Sequence, residues 1–152
     1  MAFPKRRKPL FILVCGIVLM KAAVVATCLV SILGASEYTV VVSKKSSFPV
    51  LTVSQIRDVF LQKRRNIGDE KVIPVNVLGH EEVRSLFEAK VLGMDRNRLN
   101  AYWVKQHFQG VTPPLTQPSF ESVKAFIENV DGAIGYLPAY MVDGKLRGVY
   151  EF

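Results

Sequence analysis

One stretch, Ser119 to Pro138, constrains the fold more than any other: an amphipathic helix that runs straight into a glycine-containing apolar strand. Pro118 closes off the preceding segment. Ser119 is a good N-cap, since its hydroxyl can accept a hydrogen bond from a first-turn amide that has no helical partner. Val123, Phe126, Ile127 and Val130 recur at offsets 0, 3, 4 and 7. That spacing puts them on one helix face and predicts that Phe126 is core. Asp131-Gly132 ends the helix, because glycine tolerates the left-handed conformation a C-terminal cap often needs. Ala133-Ile134-Gly135-Tyr136-Leu137 then reads as a short inner strand closed by Pro138, with small residues at 133 and 135 that let other groups approach the backbone. A helix feeding directly into a buried strand predicts a layered α/β sandwich.

The chain opens differently. Lys5-Arg6-Arg7-Lys8 precedes an apolar run from Leu10 to Leu33 whose one charge is Lys21. Gly34-Ala35-Ser36 supplies small residues suited to signal-peptidase cleavage. A basic head, an apolar middle and a small-residue exit predict an export signal peptide over residues 1–36 and a mature N-terminus near Glu37. Met20-Lys21 with Ala22 to Ser36 forms a complete short signal peptide by itself, so Met20 is a second candidate start. The expected location is the periplasm. The competing arrangement is an uncleaved inner-membrane anchor, since about 20 apolar residues can span a bilayer. Lys21 near the middle of that span argues against it. No cysteine lies at a cleavage point suited to lipid attachment.

The leader carries five of the 20 basic residues and none of the 13 acidic ones, so the formal charge falls from +7 to +2 over the remaining 116 residues. A nucleic-acid partner needs a clustered basic footprint, and none is expected here. Lys63-Arg64-Arg65 reads as a solvated helix end that complements the helix dipole. Both cysteines, Cys15 and Cys28, belong to the leader. The rest of the chain therefore has no disulfide, cysteine nucleophile or cysteine metal site.

After the leader, Tyr38 to Val42 reads as a first buried strand. Thr52 and Gln55 form a capping box ahead of a helix that presents Val53, Ile56, Val59 and Phe60 on one face. Asn66 to Lys71 reads as a turn. Val72 to Val77 reads as a second strand, whose Pro74 predicts a strand start or an edge. A helix is expected from Glu81 to Leu92, with Val83, Leu86, Phe87 and Val91 inward and Gly93 at its end. Asp95 caps another, with Leu99, Tyr102 and Trp103 inward and Phe108 joining them. Val111 to Pro118 reads as an extended connector. Asp143-Gly144 between Tyr140-Met141-Val142 and Arg147-Gly148-Val149-Tyr150 predicts a terminal hairpin.

In this order the segments resemble phosphate-type periplasmic solute-binding proteins, in particular their second lobe. Leu51 to Leu61 is similar to the family's segment before a short lysine-containing turn, with Gln62-Lys63 where glycine-lysine is common. Ile73-Pro74-Val75 resembles the strand that leads to the ligand loop. Val91-Leu92-Gly93 and Ala101-Tyr102-Trp103 resemble small single-lobe members, and Phe108-Gln109-Gly110 and Gly132-Ala133-Ile134-Gly135-Tyr136 complete the pattern. The resemblance implies one lobe of a type-2 periplasmic binding protein over residues 37–152. It further implies a role related to ABC transporters, no enzymatic activity and no cofactor. The implied partners are a small oxyanion such as phosphate, or another envelope protein.

Two departures shape the functional expectation. Nothing corresponds to the family's first lobe, whose glycine-serine loop holds an anion at a helix N-terminus. The loop that is present, Asn76-Val77-Leu78-Gly79-His80-Glu81-Glu82, lacks the family's glycine-serine-glycine-threonine run. Glu81 and Glu82 stabilise a helix start by about 0.3–1 kcal/mol each, but they repel phosphate, and Arg84 offsets only part of that. The candidate ligand-binding residues are Ser43, Asn76, Gly79, His80 and Arg84. The expected function is a periplasmic binding or interaction module without an intact phosphate loop. The alternative is an oxyanion-binding transport component that completes its site by dimerising or with a partner chain.

Other chemistries fit poorly. His80 and His107 are the only histidines, short of the three or four ligands a zinc site needs. Ser43, Ser46 and Ser47 have no base beside them, so they read as loop residues rather than nucleophiles. Tyr102 and Trp103 sit at core spacing on a helix.

Overall fold

β-Branched residues begin the first strand: β1 (Tyr38–Ser43) is buried along nearly its whole length. The computed structural model describes residues 37–152, so the export signal and the anchor expected over residues 1–36 lie outside the described residues. The Thr52 cap forms as expected, with Thr52 Oγ1 accepting from the Gln55 N–H at 3.3 Å and Gln55 Oε1 accepting from the Thr52 N–H at 2.9 Å. It starts α1 (Val53–Phe60), which buries Ile56, Val59 and Phe60. Residues 66–71 make more than a turn: β2 (Asn66–Ile67) and β3 (Glu70–Lys71) pair antiparallel.

β4 (Ile73–Val77) follows. It lies inside the sheet, so Pro74 marks a strand start rather than an edge. The Ile73 N–H donates to the Gly132 carbonyl at 2.8 Å, and the neighbouring strand on the other side begins only opposite Val75. Pro74 therefore sits where its missing N–H leaves no ladder bond open. α2 (Glu81–Phe87) continues into one π-helical turn over Glu88–Leu92, closed by Gly93 at φ +66°. Val83, Phe87 and Val91 are buried as expected, and Leu86 packs against them half-buried.

α3 (Arg96–His107) is capped by Asp95, whose Oδ1 accepts from the Arg98 N–H at 2.9 Å. Leu99 is buried, with Tyr102 and Trp103 against the core. Phe108 is not part of that stripe, being 85% exposed. It lies nine residues beyond Leu99, which at 3.6 residues per turn places it about 180° away. The proline-rich connector also does more than connect. Leu115–Gln117 forms β5, parallel to β4 with Asn76 opposite Thr116.

α4 (Phe120–Asn129) begins at Ser119, whose Oγ accepts from the Ser122 N–H at 3.2 Å. Its core face is Phe120, Val123 and Ile127. Phe126, expected in the core, is only half-buried at the margin of that stripe. β6 (Ala133–Pro138) is buried at every residue.

The expected terminal hairpin does not form. Asp143 does make a tight turn, its Oδ1 accepting from the Lys145 N–H at 2.9 Å. Residues Ala139–Met141, however, make one 3-10 turn, and β7 (Leu146–Glu151) pairs antiparallel with β1 instead. Pro138 ends β6, leaving Tyr140 86% exposed. β1 meanwhile offers a ladder of backbone partners on which β7 buries Leu146 and Val149.

The resulting sheet has the order β5-β4-β6-β1-β7. β5, β4 and β6 run parallel, while β1 is antiparallel to both its neighbours. Helix α4 covers one face so closely that a Cβ added at Gly135 would lie 2.9 Å from Ile127 and Val75 and 3.0 Å from Val123. The opposite face carries α1 and α2 around an aromatic group, with Phe87 4.7 Å from Phe60 and 4.3 Å from Tyr136 between ring centroids. Tyr102 ties α3 to this side by donating to the Leu61 carbonyl at 2.7 Å. The architecture is the expected layered α/β sandwich.

Candidate functional site

The loop after β4 sits at the carboxyl end of the parallel strands, where open α/β sheets present ligands. Gly79 supplies its left-handed turn at φ +78°. His80 takes the N-cap position of α2 without making a side-chain cap, and its ring packs on Phe120 with centroids 4.2 Å apart. Glu81 and Glu82 are exposed in the first turn.

The nearby arginines are engaged by carboxylates. Arg84 Nε donates to Glu88 Oε1 at 3.1 Å, and Arg96 Nε donates to Glu88 Oε2 at 2.8 Å. Arg96 also reaches Glu81 at 3.0 Å. Glu88 is only 3% exposed. Burial alone would lower the Arg96 pKa, but its hydrogen bonds to Glu88 and Glu81 more than offset this and raise it. A buried carboxylate held by two guanidinium groups is costly to break, because removing one side leaves the other desolvated and unpaired.

Asn76 and Arg84 do come together, in a cleft of about 250 Å³ between α3 and the β4–β5 edge. Asn76 and Thr116 line it from the sheet, Asn100 and Trp103 from α3, and Arg84 and Glu88 from the α2 side. Val75 faces α4, as its contact with the Gly135 position requires. Side chains alternate along a strand, so Asn76 points to the other face, toward Phe60 and Phe87.

Ser43 joins neither place. β1 runs antiparallel to β6, with Val42 opposite Ile134, so its last residue lies at the start of the parallel strands rather than at their ends. Ser43 Oγ accepts from the Lys45 N–H at 3.3 Å. Ser47 Oγ donates to Glu70 at 2.6 Å. Sequence reasoning did not single out Glu88, Asn100 or Thr116. The four-residue spacing of Arg84 and Glu88 was a legible ion-pair signal; Asn100 and Thr116 had none, since only the packing of α3 on the sheet edge places them.

No protein-family model matches the chain, and no curated protein matches it. Solved structures do. A protein from Clostridium perfringens assigned as a phosphate ABC transporter substrate-binding protein, with bound phosphate, superposes with a TM-score of 0.60 at 19% identity, covering 74% of this chain and 44% of that one. An ABC-type phosphate transport receptor from Vibrio cholerae gives 0.58 at 17% identity, covering 74% and 45%. The chain spans less than half the length of either. At this identity the likeness is one of fold: a lobe of the periplasmic-binding-protein type. Among the described residues, no helix is long and apolar enough to cross a membrane.

Proposed function

We propose that the chain is an exported, non-enzymatic binding or interaction module of the bacterial envelope, built like a single lobe of a solute-binding protein and without a working phosphate loop. The observation that carries this reading is the engagement of Arg84 and Arg96 by Glu88 and Glu81. Both guanidinium groups thus already share their charge with carboxylates, Arg84 through its Nε, and Glu82 adds a further negative charge. Phosphate arriving at the start of α2 meets exposed acids and an imidazole packed on Phe120. The apolar run and small-residue exit before Glu37 support export to the periplasm.

A second reading has one observation in its favour. The fold neighbours are phosphate-transport proteins of more than twice this span, one of them with bound phosphate. A second copy or a partner chain facing the loop would supply the opposing wall of an oxyanion site.

The test is the double substitution Glu81→Ser with Glu82→Thr in the protein purified after expression of the full chain. It removes two repulsive charges and adds hydroxyl donors, so phosphate affinity should rise about tenfold, or ~1.4 kcal/mol. An unchanged affinity means that the two carboxylates do not set the loop's behaviour. Phosphate-dependent dimerisation in sedimentation would favour the second reading. Intact mass of the purified protein checks export, with a mature start near Glu37 expected and an intact leader contradicting cleavage.

A further inference from the structure

We propose that the cleft between α3 and the β4–β5 edge binds a small monocarboxylate with an apolar body. This deepens the reading of the chain as a binding module, but it does not depend on the phosphate loop. The starting observation is Asn76. It occupies a core-facing register position between Val75 and Val77, half-buried, and its side chain has no hydrogen-bond partner among the described residues. Its amide is open to the cleft, so a solute there can meet it.

The groups around Asn76 converge on the same space. Thr116 is its register partner on β5 and shares its face of the sheet. Asn100 approaches from α3. Arg84 uses Nε for Glu88, while its terminal nitrogens have no partner among the described residues. Trp103 and Phe87 provide apolar walls. The volume of about 250 Å³ equals roughly eight waters at ~30 Å³ each, which suits a compact solute rather than a drug-sized one.

Charge selects the ligand class. Two parallel N–H donors of a guanidinium match the two oxygens of a carboxylate. Glu88 lies beside them with both of its oxygens already accepting. A single negative charge can share Arg84 with Glu88, whereas a dianion such as phosphate adds repulsion against a carboxylate that cannot move away. A cation would face Arg84, and a neutral solute would leave its terminal donors unmatched.

Trp103 is the only tryptophan in the chain; it borders this cleft and also a neighbouring groove with Val104, His107 and Phe108, and Thr116→Val, at a residue that lines the cleft and not the groove, tells the two apart. The protein purified after expression of the full chain is titrated with cyclohexanecarboxylate and pentanoate, which do not absorb where indole does. Cyclohexanecarboxamide and inorganic phosphate serve as controls. The expected result is a saturable change with the carboxylates, with a Kd of about 1 mM or tighter, and no saturable change with either control. Thr116→Val and Asn100→Leu alter exposed positions and leave the Arg84–Glu88 pair intact, so the fold is retained. Together they should weaken carboxylate binding about tenfold. The proposal is overturned by the absence of a saturable carboxylate response up to ~10 mM, by an equal response to the amide or to phosphate, or by unchanged affinity in the double variant. Micromolar phosphate binding that leaves Trp103 unaffected would count against the proposed function and not against this cleft.

Discussion

Gly132 joins the organising helix to its strand, and replacing it with alanine should remove a large part of the protein's stability. Its backbone lies at φ +76°. An added Cβ would collide with the Lys71 carbonyl oxygen, far inside contact distance, and would lie 3.2 Å from the Lys71 carbonyl carbon. Three costs combine. The left-handed conformation costs an alanine about 1 kcal/mol. Pressing a methyl group against a packed backbone costs about 1–3 kcal/mol. Moving the two segments apart also weakens the 2.8 Å bond from the Ile73 N–H to the Gly132 carbonyl, which starts the β4–β6 ladder, for about another 1 kcal/mol. The total is roughly 3–5 kcal/mol, against a typical domain stability of about 5–15 kcal/mol. Gly68 is the control: its φ is +60° but nothing lies within 4 Å of an added Cβ. Gly68→Ala should therefore carry only the conformational cost of about 1 kcal/mol. Urea denaturation followed by circular dichroism measures both variants. Equal losses at the two glycines would refute the reasoning, because the close approach at Lys71 would then contribute nothing.

Three further perturbations follow from the core and the ion cluster. Burial pushes the Tyr136 phenol up to about 12, while its unfolded value is about 10; the folded state holds this proton more tightly, so its stability contribution is intact below about pH 10 and is lost as pH rises through about 12. Tyr136→Phe should remove the part of that decline present near pH ~11, about 1.4 kcal/mol, with little loss at neutral pH, since the hydroxyl makes no well-formed hydrogen bond, and denaturation midpoints near neutral and near pH ~11 will test it. Phe87→Ala, at a fully buried ring, should cost about 3–5 kcal/mol, while Phe126→Ala at the helix margin should cost roughly half as much; equal losses would mean that Phe126 is core after all. Glu88→Ala strands two guanidinium groups that water can partly reach, so a loss of about 2–4 kcal/mol is expected, and a loss below about 0.5 kcal/mol would show that the cluster does not hold α2 to the start of α3.

What the sequence made legible was mostly local. Thr52, Asp95 and Ser119 cap helices because each meets its partner three residues away. Gly93, Gly110 and Gly132 take the left-handed backbone for equally local reasons. The failures come from choices made elsewhere in the fold. Asp143-Gly144 does turn the chain, yet the open flank of β1, about 100 residues earlier, decides where β7 pairs. Leu115–Gln117 looked like a connector because three residues between prolines carry no period; they become a strand only beside β4. The site divides the same way. Asn76 and Arg84 were legible as polar groups near a strand end, and they share one cleft. Ser43 was placed with them on the assumption that strand ends gather together, but strand direction is a tertiary property and β1 runs the other way.

The most direct test is isothermal titration of the unmodified protein with inorganic phosphate, at low and high salt. With Arg84 and Arg96 held by Glu88 and Glu81, binding should be no tighter than millimolar, about 4 kcal/mol, and should weaken further as salt screens the remaining charge. Micromolar binding by the monomer would contradict the account, because the loop would then hold phosphate despite its carboxylates and without either arginine.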